Sequence, residues 1–277
     1  LVMSVGSLSV AAGATLTIQT ESGNVRQAAI MSAGDVSIAG TILRGASGLA
    51  AGNDPCRPAS SNSAGADNDE PGGGGGGYGG SGGKGGGILG IAGTTNGGSP
   101  TGDPTLVPLR TGCWGGDSGY GRGGAGGGAI QITSGTKITV SGAVGAPGYG
   151  GSVNGGGGAG GSILLEAPTV TIGGGVYANG GSGGCGAFSG AMSSDGDLTT
   201  MPALGGPCSN GQSGGNGGAG TTAPTDGQSL VNTAGTTQYA GGGGGAVGRI
   251  RINTLDMTIT GAGAQSPPAS FGVIAGR

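Results

Sequence analysis

Histidine is absent from this chain of 277 residues, aromatic residues make up 3% of it and charged residues 8%. Without histidine there is no ordinary general base near neutral pH, which removes the commonest route to acid–base and nucleophilic catalysis. The four cysteines, Cys56, Cys113, Cys185 and Cys208, show no C-x-x-C spacing, so a zinc site would need all four thiolates at irregular separations. Ten basic residues are scattered at a net charge of -3, unlike the clustered basic stripe of a nucleic-acid surface. No apolar run reaches about 18 residues, which argues against a membrane-spanning helix. Scarce aromatics leave Ala, Val, Ile and Leu to build a core, which must be thin and repetitive.

Glycine, by contrast, occurs 79 times. In Gly76-Gly77-Tyr78-Gly79-Gly80-Ser81-Gly82-Gly83-Lys84 the side chains fall three residues apart. The same spacing puts Ala159 in one row with Ser162, and Asn179 with Ser182 and Cys185. Period three belongs to the polyproline II helix, which has no internal hydrogen bonds and points every N–H and C=O sideways. Ordering a residue costs about 1 to 2 kcal/mol, and glycine loses the most freedom, so such segments are stable only against neighbours. Flexible linkers are the alternative. The expectation is that stretches near 72–87, 119–128, 154–161, 179–186, 210–220 and 240–248 pack as left-handed polyglycine II helices.

Between the glycine runs, apolar and small polar residues alternate. Val36-Ser37-Ile38-Ala39-Gly40, Ile138-Thr139-Val140-Ser141-Gly142, Val170-Thr171-Ile172-Gly173-Gly174 and Met257-Thr258-Ile259-Thr260-Gly261 read as four copies of one strand with one buried face and a glycine corner. Companion strands Ile130-Gln131-Ile132, Ile163-Leu164-Leu165 and Ile250-Arg251-Ile252 precede three of them. The repeat predicts an all-β fold: a β-solenoid or stacked sheet as a single domain over 1–277, with rungs near 8–45, 129–144, 162–178 and 249–260. Glycine-rich insertions over 46–128 and 179–248 emerge on one side. Glycine at this density opposes helices.

Ile163 to Ile172, continuing to Ala178-Asn179-Gly180-Gly181, resembles the repeat of glycine-rich secreted or surface proteins of bacteria with large genomes, myxobacteria among them. The likeness covers roughly 119–185 and 240–265, and it implies architecture, not activity. The triplets also resemble the polyglycine II bundles of snow flea antifreeze protein and phage tail-tip adhesins, which implies a packing style.

Few residues carry chemistry. Asp67-Asn68-Asp69-Glu70 and Asp195-Gly196-Asp197 offer hard oxygen ligands for calcium, but read first as solvated acidic loops. Neither a metal nor a cofactor is expected, and the chain is read as no enzyme. Arg249 and Arg251 alternate with Ile250 and Ile252, as on a solvated edge. Trp114, Tyr78, Tyr120, Tyr149 and Tyr177 lie in or beside glycine runs as caps or subunit contacts. An even cysteine count fits two disulfides in an oxidising compartment, and among three connectivities locality selects Cys56–Cys113 and Cys185–Cys208. A start at Leu1 fits removal of a signal segment.

These features point to a secreted or cell-surface structural protein whose partner is itself, a homopolymer assembling head to tail into a filament. The interface would be Leu1, Val2, Met3 and Val5 at one end and Phe271, Val273 and Ile274 at the other, both strand-like and without an evident cap. A surface adhesin or ice-binding protein is the alternative, with a cell surface or polysaccharide as partner. Thr15, Thr17, Thr139, Thr171 and Thr258 give only a broken threonine array for ice. Nucleic acid and membrane insertion are not expected.

Overall fold

The computed structural model describes residues 1–19, 27–45, 56–61, 69–90, 93–186, 193–208, 212–231 and 237–274. Alternating apolar residues form short strands in sets of three. β1 (Val2–Val5), β2 (Leu8–Val10) and β3 (Thr15–Ile18) are followed by β4 (Ala28–Ser32), β5 (Val36–Ile38) and β6 (Thr41–Arg44). A long excursion carrying β7 (Ile88–Leu89) leads to β8 (Ala129–Ser134), β9 (Lys137–Val140) and β10 (Ala143–Gly145), then to β11 (Ser162–Glu166), β12 (Thr169–Ile172) and β13 (Gly175–Tyr177). A second carries β14 (Leu230–Val231) and leads to β15 (Arg249–Thr254), β16 (Ala264–Ser266) and β17 (Ser270–Val273).

The fold is all-β, and its named strands pair in parallel. Sheet A has the order β1-β4-β8-β11-β15-β17, sheet B β12-β9-β5-β2 and sheet C β16-β13-β10-β6-β3, while β7 and β14 pair separately. The chain visits A, B and C in turn and begins again one strand further along each. Side chains therefore stack in register. Met3, Ile30, Ile132, Leu165, Ile252 and Phe271 form one row in sheet A, Val10, Ile38, Val140 and Ile172 one in sheet B, and Leu16, Ile42, Val144 and Val176 one in sheet C. Inner members of all three rows meet in a single apolar cluster. Each fully buried Val or Ile contributes about 1.5 to 3 kcal/mol, which opposes the entropy lost by the glycines.

Two expectations need correction. The repeat is a strand triplet, not a strand pair: β6, β10, β13 and β16 follow the corner glycine. The turn is tight there, since a Cβ on Gly142 would lie 1.9 Å from the Gly40 carbonyl oxygen and one on Gly174 1.9 Å from that of Gly142. The Met257 copy is also displaced. Thr260, not Thr258, pairs with Thr171. Asp256 accepts from the Thr254 hydroxyl and from both the amide and hydroxyl of Thr258, and Met257 adopts φ 59. That local turn takes up two residues, and a single bridge replaces the strand.

Every long glycine excursion leaves after a sheet C strand (β6, β10 or β13) and returns into sheet A, so all emerge from the same corner. Their backbone bonds run sideways with period three. In 154–161, the amides of Asn154, Gly157 and Gly160 donate to Cys185, Gly243 and Ala246; those of Gly155, Gly158 and Gly161 to Ser152, Tyr149 and Ala146; those of Gly156 and Ala159 to Gly116 and Cys113. Its carbonyls accept from Gly73 and Gly76, from Gly184 and Gly181, and from Gly124 and Gly127. Segment 241–248 is bonded on all sides in the same way. The run over 72–87 doubles back, with Gly72, Gly75 and Tyr78 donating to Gly86, Gly83 and Gly80. Segments 112–116 and 146–151, not singled out in the sequence, pack into the same array.

Candidate functional site

The expected interface residues lie on the two outermost strands of sheet A, with Leu1 just before β1 and Ile274 just after β17. Leu1 and Val2 are each 65% exposed, Met3 and Val5 half-buried, Phe271 and Val273 exposed and Ile274 half-buried. Ala275 is outside the described residues. Beside β1, a hollow of about 250 Å³ is lined by Leu1, Met3, Leu16, Ile18, Ala28 and Ile30. Val2–Val5 carries no charged side chain of the kind that blunts a sheet edge. Loop Thr101–Arg110 runs along the strand starts of sheet A: Arg249 donates to the Thr101 carbonyl at 3.0 Å, Ser270 to Pro104 at 2.9 Å and Gln27 to Leu109 at 3.0 Å.

Arg249 is thus no edge residue, as its strand lies inside sheet A. Its guanidinium also sits 5.6 Å over the Tyr78 ring. Arg251 donates to Asn253 at 2.8 Å, and Glu166 accepts from Gln131 at 2.6 Å and Asn253 at 2.9 Å, so the outer polar groups of β8, β11 and β15 satisfy one another.

Sheet B presents a different surface. Ser9, Ser37, Thr139, Thr171 and Thr260 are direct partners in successive strands and point outward in one straight row. The Thr171 and Thr260 hydroxyls are 2.7 Å apart. The expected threonine array is corrected accordingly: Thr15 and Thr17 belong to sheet C, Thr258 bonds Asp256, and serines fill the first two places. In a neighbouring column, Lys137 and Asp35 form an exposed pair at 3.3 Å. The Thr136 hydroxyl and then Lys137 hold the Asp35 carboxyl below its usual range.

The first acidic cluster is not a solvated loop. Asp69 and Glu70 are fully buried, where Asp69 accepts from the Gln238 amide at 2.9 Å and Glu70 from the Gly119 amide at 3.0 Å. Asp67 lies outside the described residues. Asp195 and Asp197 are exposed, as expected, and accept amides of Gly150 and Leu198. Among the described residues, no group of three or more His, Cys, Asp or Glu is placed to hold a metal ion.

Cys56 bonds to Cys113 and Cys185 to Cys208, with Cα separations of 5.7 and 5.6 Å. Tyr78 is buried at the end of its glycine segment, whereas Tyr120 is exposed and meets Tyr239 edge-on at 5.5 Å. Burial, then Tyr120 and Glu70, push the Tyr239 hydroxyl pKa up. Trp114, Tyr149 and Tyr177 are half-buried. No described helix is long and apolar enough to cross a membrane. No family model, curated protein or solved structure matches this chain.

Proposed function

We propose that this chain is a secreted, non-enzymatic structural subunit, a β-solenoid carrying a polyglycine II bundle at one corner, that adds head to tail into a filament. The polyglycine II reading rests on the period of three in the lateral hydrogen bonds. The assembly reading rests on one observation. β1 and β17 are the outer strands of a single parallel sheet, so β17 of one copy can pair with β1 of the next in the sense used throughout that sheet. A heterologous contact of this kind that does not close into a ring produces an open fibre. Two disulfides fit an oxidising compartment. Negative-stain microscopy tests the reading. The intact chain is expected to form fibres, and deletion of residues 1–6 to leave a folded monomer. Fibres from the truncated chain, or a monomeric intact chain at high concentration, overturn it.

The outward row on sheet B favours a second reading, as an ice-binding surface. Parallel strands set the backbones of neighbouring members about 4.8 Å apart, close to a repeat of the ice lattice, with the Thr171 and Thr260 hydroxyls drawn together to 2.7 Å, and sheet B lies opposite the corner between sheets C and A from which the glycine excursions leave. Thermal hysteresis that disappears in Thr139→Lys and Thr171→Lys supports this reading, and its absence from the intact chain ends it.

A further inference from the structure

Five asparagines, Asn96, Asn154, Asn179, Asn210 and Asn216, precede a glycine. In this pair the glycine nitrogen, unhindered by a Cβ, can attack the asparagine Cγ. The Cγ–Nδ2 bond breaks, Nδ2 takes the amide proton and ammonia leaves a five-membered succinimide. Water then opens either carbonyl, giving aspartate or isoaspartate. The attack needs a free asparagine side chain and a following N–H that no acceptor holds.

The fold denies both conditions at three of these pairs. Asn179 donates to the carbonyls of Asp197 and Thr199, both at 2.7 Å, and the Gly180 amide is given to Gly218 at 2.9 Å. The Asn216 side chain accepts from Gly205 at 2.8 Å, and Gly217 donates to Ala203 at 2.8 Å. Asn154 is fully buried, its side-chain oxygen accepts from Ser118, and Gly155 donates to Ser152 at 2.7 Å. Asn96 differs. It is exposed, and neither its side chain nor the Gly97 amide makes a hydrogen bond among the described residues. Asn210 lies outside them.

We propose that Asn96 is a built-in modification site, converting spontaneously to aspartate and isoaspartate while the glycine bundle shields Asn154, Asn179 and Asn216. The product adds one negative charge to the surface of the bundle.

The test is peptide mapping of the intact, disulfide-bonded chain after incubation at mildly alkaline pH, beside the reduced and denatured chain. In the native chain the Asn96 peptide is expected to gain one dalton and an isoaspartyl linkage. It should do so about tenfold faster than the Asn154, Asn179 and Asn216 peptides, which react only through local opening. In the denatured chain the four should react at similar rates. Native reaction at Asn96 no faster than at the other three overturns the proposal. So does an equal preference for Asn96 in the denatured chain, since the selectivity would then owe nothing to the fold.

Discussion

The Tyr78 hydroxyl lies 2.6 Å from Ser162 Oγ, tying the end of a glycine segment to the first residue of β11. The Arg110 carbonyl accepts from Ser162 and, at 3.3 Å, from the Tyr78 hydroxyl, so the three groups form one network. Both residues are buried, which joins the glycine bundle to sheet A at a site closed to water.

Tyr78→Phe should therefore cost about 1 to 2 kcal/mol at neutral pH. Burial raises the Tyr78 pKa above the ordinary tyrosine range, the Ser162 bond opposing it. A raised pKa gives stability that is complete below the unfolded-state value and lost as pH climbs through the folded-state value. Denaturation midpoints followed against pH should fall in the alkaline range for the native chain and more gently for the variant. Equal slopes would remove Tyr78 from that role.

Glycine substitutions should separate packed from open positions. A Cβ on Gly156 would lie 1.9 Å from the Gly74 carbonyl oxygen, whereas one on Gly80 meets nothing within 4 Å. Gly156→Ala should cost about 3 kcal/mol, and Gly80→Ala should stay within about 0.5 kcal/mol of the native chain. Urea unfolding of both variants checks this.

The disulfides span 57 and 23 residues. Replacing Cys56 and Cys113 together by serine should cost about 4 kcal/mol, and Cys185 with Cys208 about 3 kcal/mol, by releasing chain entropy in the unfolded state. Calorimetry of the two double variants reads the order directly, and a reversed order would mean that native packing, not loop length, dominates.

Arg44 is fully buried, donating to the carbonyls of Ile18 at 3.0 Å, Gly45 at 3.3 Å and Ala129 at 3.4 Å, and burial lowers its pKa. It joins three turns of the chain where the first glycine excursion departs. Arg44→Met keeps much of the volume but leaves those carbonyls without these donors, and should cost about 3 kcal/mol in the same unfolding measurement.

Much of this was legible locally. Val36 to Ile38, Ile138 to Val140 and Val170 to Ile172 carry a period of two that only a half-buried strand satisfies, and their partners follow from equal spacing to the corner glycine. The Asp69–Glu70 burial was not legible, because an acidic pair beside glycine has the composition of a solvated loop until Gly119 and Gln238 are brought to it from elsewhere in the chain.

Period was enough for the strand segments, since it depends on how side chains recur along a few residues; for the glycine runs it left packed segments and flexible linkers both open, and the lateral hydrogen bonds made that choice. Locality was enough for the disulfide pairing. Tertiary structure alone decided the third strand of the later turns, because Ala143–Gly145 and Gly175–Tyr177 are too short and small to show alternation. It likewise decided the displaced register at Thr260, set by the Asp256 turn, and the row that places Ser9 and Ser37 beside Thr139. Above all, it decided which carbonyl each glycine amide meets. A residue without a side chain carries no mark of its neighbour, and that choice is made only when the segments come together.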